Sequence, residues 1–190
     1  MTVMSLLAAE RFFSMLALIA LAGAIGLVGL RLVPAGRPIL AELGPASRWM
    51  AFAVAATAMF GSLYFSGVQN MIPCRMCWYQ RIAMFSSAIV LLVGALRRDR
   101  DVRWYAVPLA GVGLVISCYH YLIEWFPNLE TGVCDAFAPC STPYFRGFGF
   151  VSLAFMAGCG FLAIIALLTL TREPDSPRPE GHHGNAHDHA

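Results

Sequence analysis

The sequence contains no lysine; all thirteen basic residues are arginines. Charge of either sign is scarce, at 13% of residues, where soluble domains carry about 25%. That scarcity excludes an ordinary water-solvated surface. The formal net charge is only +2, and no basic stretch alternates with aromatics, which excludes a nucleic-acid surface. No run alternates apolar and polar residues as membrane-barrel strands do, and no internal repeat is visible. What is present is apolar: 58% of residues are hydrophobic and the mean hydropathy is +0.66. A polytopic membrane protein follows, and its 190 residues allow one domain.

A spanning helix needs about 20 mostly apolar residues, and only helices satisfy their own backbone groups across lipid over such lengths. Five segments qualify: Phe12–Leu30, Trp49–Val68, Trp78–Leu96, Trp104–Ile123 and Phe148–Leu170. The first could be a signal peptide, but it lacks a positive leading region and a small-residue cleavage site. Glu10 and Arg11 precede it while Arg31 and Arg37 follow it, which favours a retained helix with its N-terminus outside. A start at Met50 is the alternative. The expected organisation is therefore a helix and linker over 1–48, a membrane domain over 49–170, and a tail over 171–190. The tail, rich in proline, charge and histidine, is expected to be disordered and cytoplasmic.

Arginine placement sets the orientation. Nine arginines (31, 37, 48, 97, 98, 100, 103, 172 and 178) fall on one side and four (11, 75, 81 and 146) on the other. The nine-arginine side is expected to be cytoplasmic. The gap 69–77 and the loop 124–147, which carries Glu124, Glu130 and Asp135, then face outward.

That topology gathers Cys74, Cys77, Cys134 and Cys140 at one non-cytoplasmic face, where disulfides persist. Cys118 and Cys159 lie inside apolar runs and are expected to be small packing residues. Four thiols at one face are compatible with structural disulfides, a zinc site or a redox relay. In Pro73-Cys74-Arg75-Met76-Cys77-Trp78-Tyr79-Gln80-Arg81 the pair opens a helix, where the helix N-terminus and a nearby arginine favour thiolate. Pro73 prevents the helix from continuing backward. Arg81, four residues beyond Cys77, shares its face and is expected to lower its pKa and to donate to an acceptor bound beside it. An ionisable residue within a span is a functional candidate. Trp78 and Tyr79 read as an interfacial belt. Cys134 and Cys140 close a short loop broken by prolines, suited to exchange with a soluble partner or to a structural staple.

The run Pro-Cys-x-x-Cys-Trp-Tyr-Gln-Arg-Ile at 73–82 resembles the disulfide bond formation protein B family, DsbB, and its short-loop branch, BdbC. Gly147-Phe148-Gly149-Phe150, the basic turn after the third segment and the two-cysteine loop are also similar, and the resemblance covers about 49–170. It implies an all-α integral membrane fold: a four-helix transmembrane bundle, here with one extra N-terminal transmembrane helix. It implies a quinone, ubiquinone or menaquinone, at the external face. Cys77 matches the cysteine that contacts the quinone and Arg81 the arginine that assists there. Cys134 and Cys140 match the pair that exchanges with a thioredoxin-fold, DsbA-like oxidase, with Cys134 forming the mixed disulfide. The expected activity is a quinone-dependent protein-disulfide oxidoreductase in the cell inner membrane.

Three alternatives compete. A structural zinc site would use all four cysteines. In vitamin K epoxide reductase the Cys-x-x-Cys follows the loop cysteines, the reverse of the order here. A transporter with incidental disulfides would tolerate Cys→Ser changes.

Overall fold

The computed structural model describes residues 5–134 and 137–171. Five helices account for most of them: α1 (Leu6–Leu32), α2 (Gly36–Gly67), α3 (Arg75–Arg97), α4 (Arg103–Trp125) and α5 (Leu153–Leu170). Each is long and apolar enough to cross a membrane, so the chain is the all-helical membrane bundle its composition requires. An isolated β bridge joins Gly147 and Val151.

Helix ends follow local chemistry. Ser5 caps α1, its hydroxyl accepting from the Ala8 N–H at 3.3 Å. The reversal into α2 brings Gly36 onto the Leu30 carbonyl so closely that any β-carbon would collide with it. The α3–α4 turn begins at Arg98, which adopts left-handed geometry and returns its N–H to the last carbonyls of α3. Ser152 caps α5, accepting from Phe155 N–H at 3.3 Å.

Three boundaries differ from expectation. The stretch 31–48, read as a linker, is mostly helix: α2 begins at Gly36 and runs for 32 residues. At 1.5 Å per residue that is about 48 Å, longer than the roughly 30 Å hydrocarbon layer. The end carrying Arg37, Glu42 and Arg48 needs no apolar face there, so hydropathy does not reveal it. The last helix starts at Leu153 rather than Phe148, because Phe148 and Gly149 take positive φ (51° and 85°) in the turn closed by the Gly147–Val151 bridge. Glu124, read as part of the outer loop, belongs to the last turn of α4 and is buried. The tail lies outside the described residues except for buried Thr171.

The core is built from small residues and a few large ones. Ala51, Ala55, Ala106 and Ala110 are fully enclosed, and Phe161 and Leu91 fill the space among them. The Phe161 ring occupies the notch left by Gly113 on α4, where a β-carbon would collide with it. Small residues that permit close helix approach drive association in lipid, where there is no hydrophobic gain between helices. Bulky apolar side chains such as Ile19, Ile89 and Val115 face outward, as lipid contact allows. Cys159 is buried as expected, whereas Cys118 is exposed on the surface of α4. Ser117 and not Cys118 occupies the inward position of that turn.

Candidate active site

The site lies where α3 begins. Pro73 halts the backbone and Cys74 becomes the N-cap, its sulfur accepting from the Cys77 N–H at 3.3 Å. One helical turn separates the two cysteines, which brings their sulfurs to 2.8 Å as free thiols. Cys74, just ahead of the helix, is held below the usual thiol range, chiefly by the hydrogen bond from Cys77 and then by His120, against the opposing effect of burial.

Both cysteines touch one cluster, but their further surroundings differ. Cys74 packs with Met76, Ile123 and Cys140 in one buried cluster, with Cys134 at its edge. Cys134 and Cys140 form a disulfide with Cα atoms 5.8 Å apart. The structure thus brings all four predicted cysteines together at one end of the bundle. Two of the four cysteines that the zinc alternative would use are here bonded to each other. Among the described residues, Cys74, Cys77 and His120 place three ligand atoms within 4.8 Å of one another, a set of the kind soft cations accept.

Cys77, by contrast, lines a cavity of about 360 Å³. Arg81 shares that cavity, and its guanidinium is fixed to α2: Nε donates to Ser62 Oγ and Nη2 to the Ser62 carbonyl, both at 2.9 Å. It also lies 5.3 Å from the centre of the Trp78 ring. Deeper in, the walls are apolar, from Val54 and Ala58 on α2 to Met84 and Phe85 on α3 and Met156 and Ala157 on α5. The span from Cys77 to Phe85 corresponds to about 12 Å of helix rise. The cavity therefore has a polar mouth beside a thiol and an apolar shaft running into the bilayer, and lies within the size range of small-molecule sites.

Sequence reading missed a second polar group. His120 on α4 sits with Nε2 3.7 Å from Cys74 Sγ and Nδ1 3.3 Å from Gln80 Nε2. With the Gln80 amide donating to Nδ1, the proton stays on Nε2, aimed at the sulfur. Glu124, one turn on, brings Oε1 to 3.9 Å from Nε2, and its Oε2 is buried with no hydrogen-bond partner among the described residues. His120 and Glu124 are four residues apart on one helix face, and that spacing was the available signal.

The connection from α4 to α5 is tied down over the site. Arg146 Nη2 donates to the Glu124 carbonyl at 2.7 Å and its guanidinium stacks 3.9 Å from the Trp125 ring centre. Tyr144 donates to the Ile72 carbonyl at 2.8 Å, Tyr121 to that of Phe150 at 3.1 Å, and Tyr119 to that of Leu129 at 3.1 Å. These bonds satisfy irregular backbone at the mouth of an apolar bundle.

A dithiol beside a disulfide, both at one end of a spanning bundle, defines a membrane thiol–disulfide oxidoreductase. The comparisons agree: residues 45–171 match the family described as Disulfide bond formation protein DsbB, and the chain belongs to that family. It is 41% identical over 123 residues to the Probable disulfide formation protein C 2 of Bacillus anthracis, covering 65% of this chain and 88% of the relative. It is 38% identical over 126 residues to the Disulfide bond formation protein C of Bacillus subtilis, covering 65% and 91%. A Probable disulfide formation protein of Oceanobacillus iheyensis is 40% identical over 119 residues, covering 61% and 82%. No solved structure matches.

Proposed function

We propose that this chain reoxidises a thioredoxin-fold, DsbA-like dithiol oxidase on the non-cytoplasmic side of the membrane and passes the electrons to a membrane quinone. The observation that carries the reading is the divided surroundings of the Cys-x-x-Cys pair: Cys74 packs against the loop disulfide while Cys77 opens into the apolar cavity with Arg81. The nine-to-four arginine asymmetry supports an outward-facing site.

The residues fit a quinone, a flat ring with carbonyl oxygens and an apolar tail. Arg81, pinned by Ser62, supplies a fixed cationic donor at the mouth, and the apolar shaft suits the tail. When bound, the quinone supplies the electron-pair acceptor that returns the Cys74–Cys77 dithiol to a disulfide.

The protein's own steps begin with Cys134, the less buried member of the loop pair. A partner thiolate attacks Cys134 and displaces Cys140 as thiolate. Cys140 then attacks Cys74 of the oxidised Cys74–Cys77 pair and releases the Cys77 thiolate into the cavity beside Arg81. The partner's second thiol attacks its own sulfur in the mixed disulfide, leaves as the oxidised partner and frees Cys134. Cys134 attacks Cys140, restores the loop disulfide and releases Cys74 as thiolate. The His120 Nε2 proton lies against that sulfur, and buried Glu124 stands behind it. An electron pair has then moved from partner to Cys74 and Cys77 with every disulfide accounted for.

Anaerobic mixing of purified protein, a quinone and a reduced thioredoxin-fold partner tests the scheme. Loss of quinone absorbance matched one-to-one by partner disulfide is expected; partner oxidation without quinone reduction refutes it.

A further inference from the structure

The family match begins at residue 45, so α1 lies wholly outside it. Nevertheless α1 borders the cavity that Cys77 and Arg81 open into: Phe13, Leu16, Ala17 and Ala20 line it. Their spacing of three, four and seven residues marks one face of the helix. α1 packs against α5 and α2, but it stands apart from α3, and the cavity occupies the space between them. Removing α1 would leave the apolar shaft open to lipid along its length.

The helix is seated by specific contacts and does not merely lie alongside. Ala9 and Ser14 are fully buried, and Ala24 nearly so. The Phe13 ring fills the notch at Gly61 of α2, where a β-carbon would come within 2.7 Å of it, and packs at a tilt with its centre 5.3 Å from that of Phe65. Ser14 presses on Gly147 so closely that no side chain fits there. Gly147 belongs to the turn that positions the start of α5, so the register of α1 is fixed against the framework of the active site. Only such a fixed wall can hold a ligand in one pose.

We propose that α1 is the retaining and size-selecting wall of the quinone cavity, with Leu16 and Ala20 as its specificity-determining residues. This rests on the quinone reading above. Ala20 leaves room that a larger side chain would occupy, and Leu16 narrows the shaft that a wider ring system would need.

The test reads binding, not turnover. Purified full-length protein is extracted with organic solvent to quantify carried quinone per chain, and tryptophan quenching is titrated with decylubiquinone and with menadione. Ala20→Phe is expected to weaken both probes about tenfold, as overfilling a packed site does, and to lower the carried quinone. Leu16→Ala is expected to shift the preference toward the two-ring menadione by a few-fold. Val28→Phe, on the exposed side of α1, is expected to match wild type in both readouts. Wild-type binding by Ala20→Phe with an unchanged melting temperature overturns the role of α1 and leaves the quinone reading standing. If Ala20→Phe does not fold, an unchanged probe preference in Leu16→Ala overturns it equally. Wild-type protein that neither carries nor binds quinone overturns both.

Discussion

The two sides of the Cys-x-x-Cys pair are built on opposite principles. On the Cys74 side, His120 of α4, held by Gln80 of α3, reaches a sulfur that packs against a disulfide. On the Cys77 side, a single pinned cation marks the mouth of an apolar shaft. One helical turn separates a place suited to thiol exchange from a place suited to a lipophilic ligand. Under the proposed function the difference makes the pair a junction, whose spacing matters because each sulfur serves a different medium.

The sharpest way to break the comparison is Cys77→Ser. It should abolish quinone reduction while Cys134 and Cys140 still form their disulfide, read by gel shift after alkylation; residual turnover at the normal rate would refute a cavity-side role for Cys77. Arg81→Ala should raise the apparent KM for quinone about tenfold, in line with loss of one charge-assisted contact, with partner exchange at Cys134 unchanged. A KM equal to wild type would remove Arg81 from the cavity's work.

His120→Ala should act on the other side alone and by less. Cys74 is held below the ordinary thiol value, so its thiolate persists as pH falls below about 8.5, down to its own lowered value. Without His120 that titration should move upward while the Cys77 hydrogen bond keeps part of the depression. Site-resolved alkylation rates of the reduced protein against pH measure this; an unmoved midpoint would make His120 a packing residue.

Most of the framework was legible because its signals are local. Apolar run length identified five spans, and the Cys-x-x-Cys behind Pro73 marked a helix start. The start of α2 was not legible: Gly36, Arg37, Pro38 and Glu42 read as linker because helices outside hydrocarbon need no apolar face. Nor was the role of His120, whose meaning comes from Cys74, 46 residues away in sequence. Glu124 was misassigned for the related reason that a carboxyl at the end of an apolar run looks like the first residue of a loop. Inward packing at Ser117 and outward exposure of Cys118 depend on helix rotation, which an all-round apolar segment does not encode.

Cys140 is only 2% exposed and Cys74 only 6%, whereas Cys134 is more open. The loop disulfide is thus shielded unevenly. Of the two sulfurs in that disulfide, an approaching thiol meets Cys134 first, while Cys140 stays enclosed. Under the proposed function this asymmetry steers attack to Cys134, so that the sulfur displaced is the one already packed against Cys74.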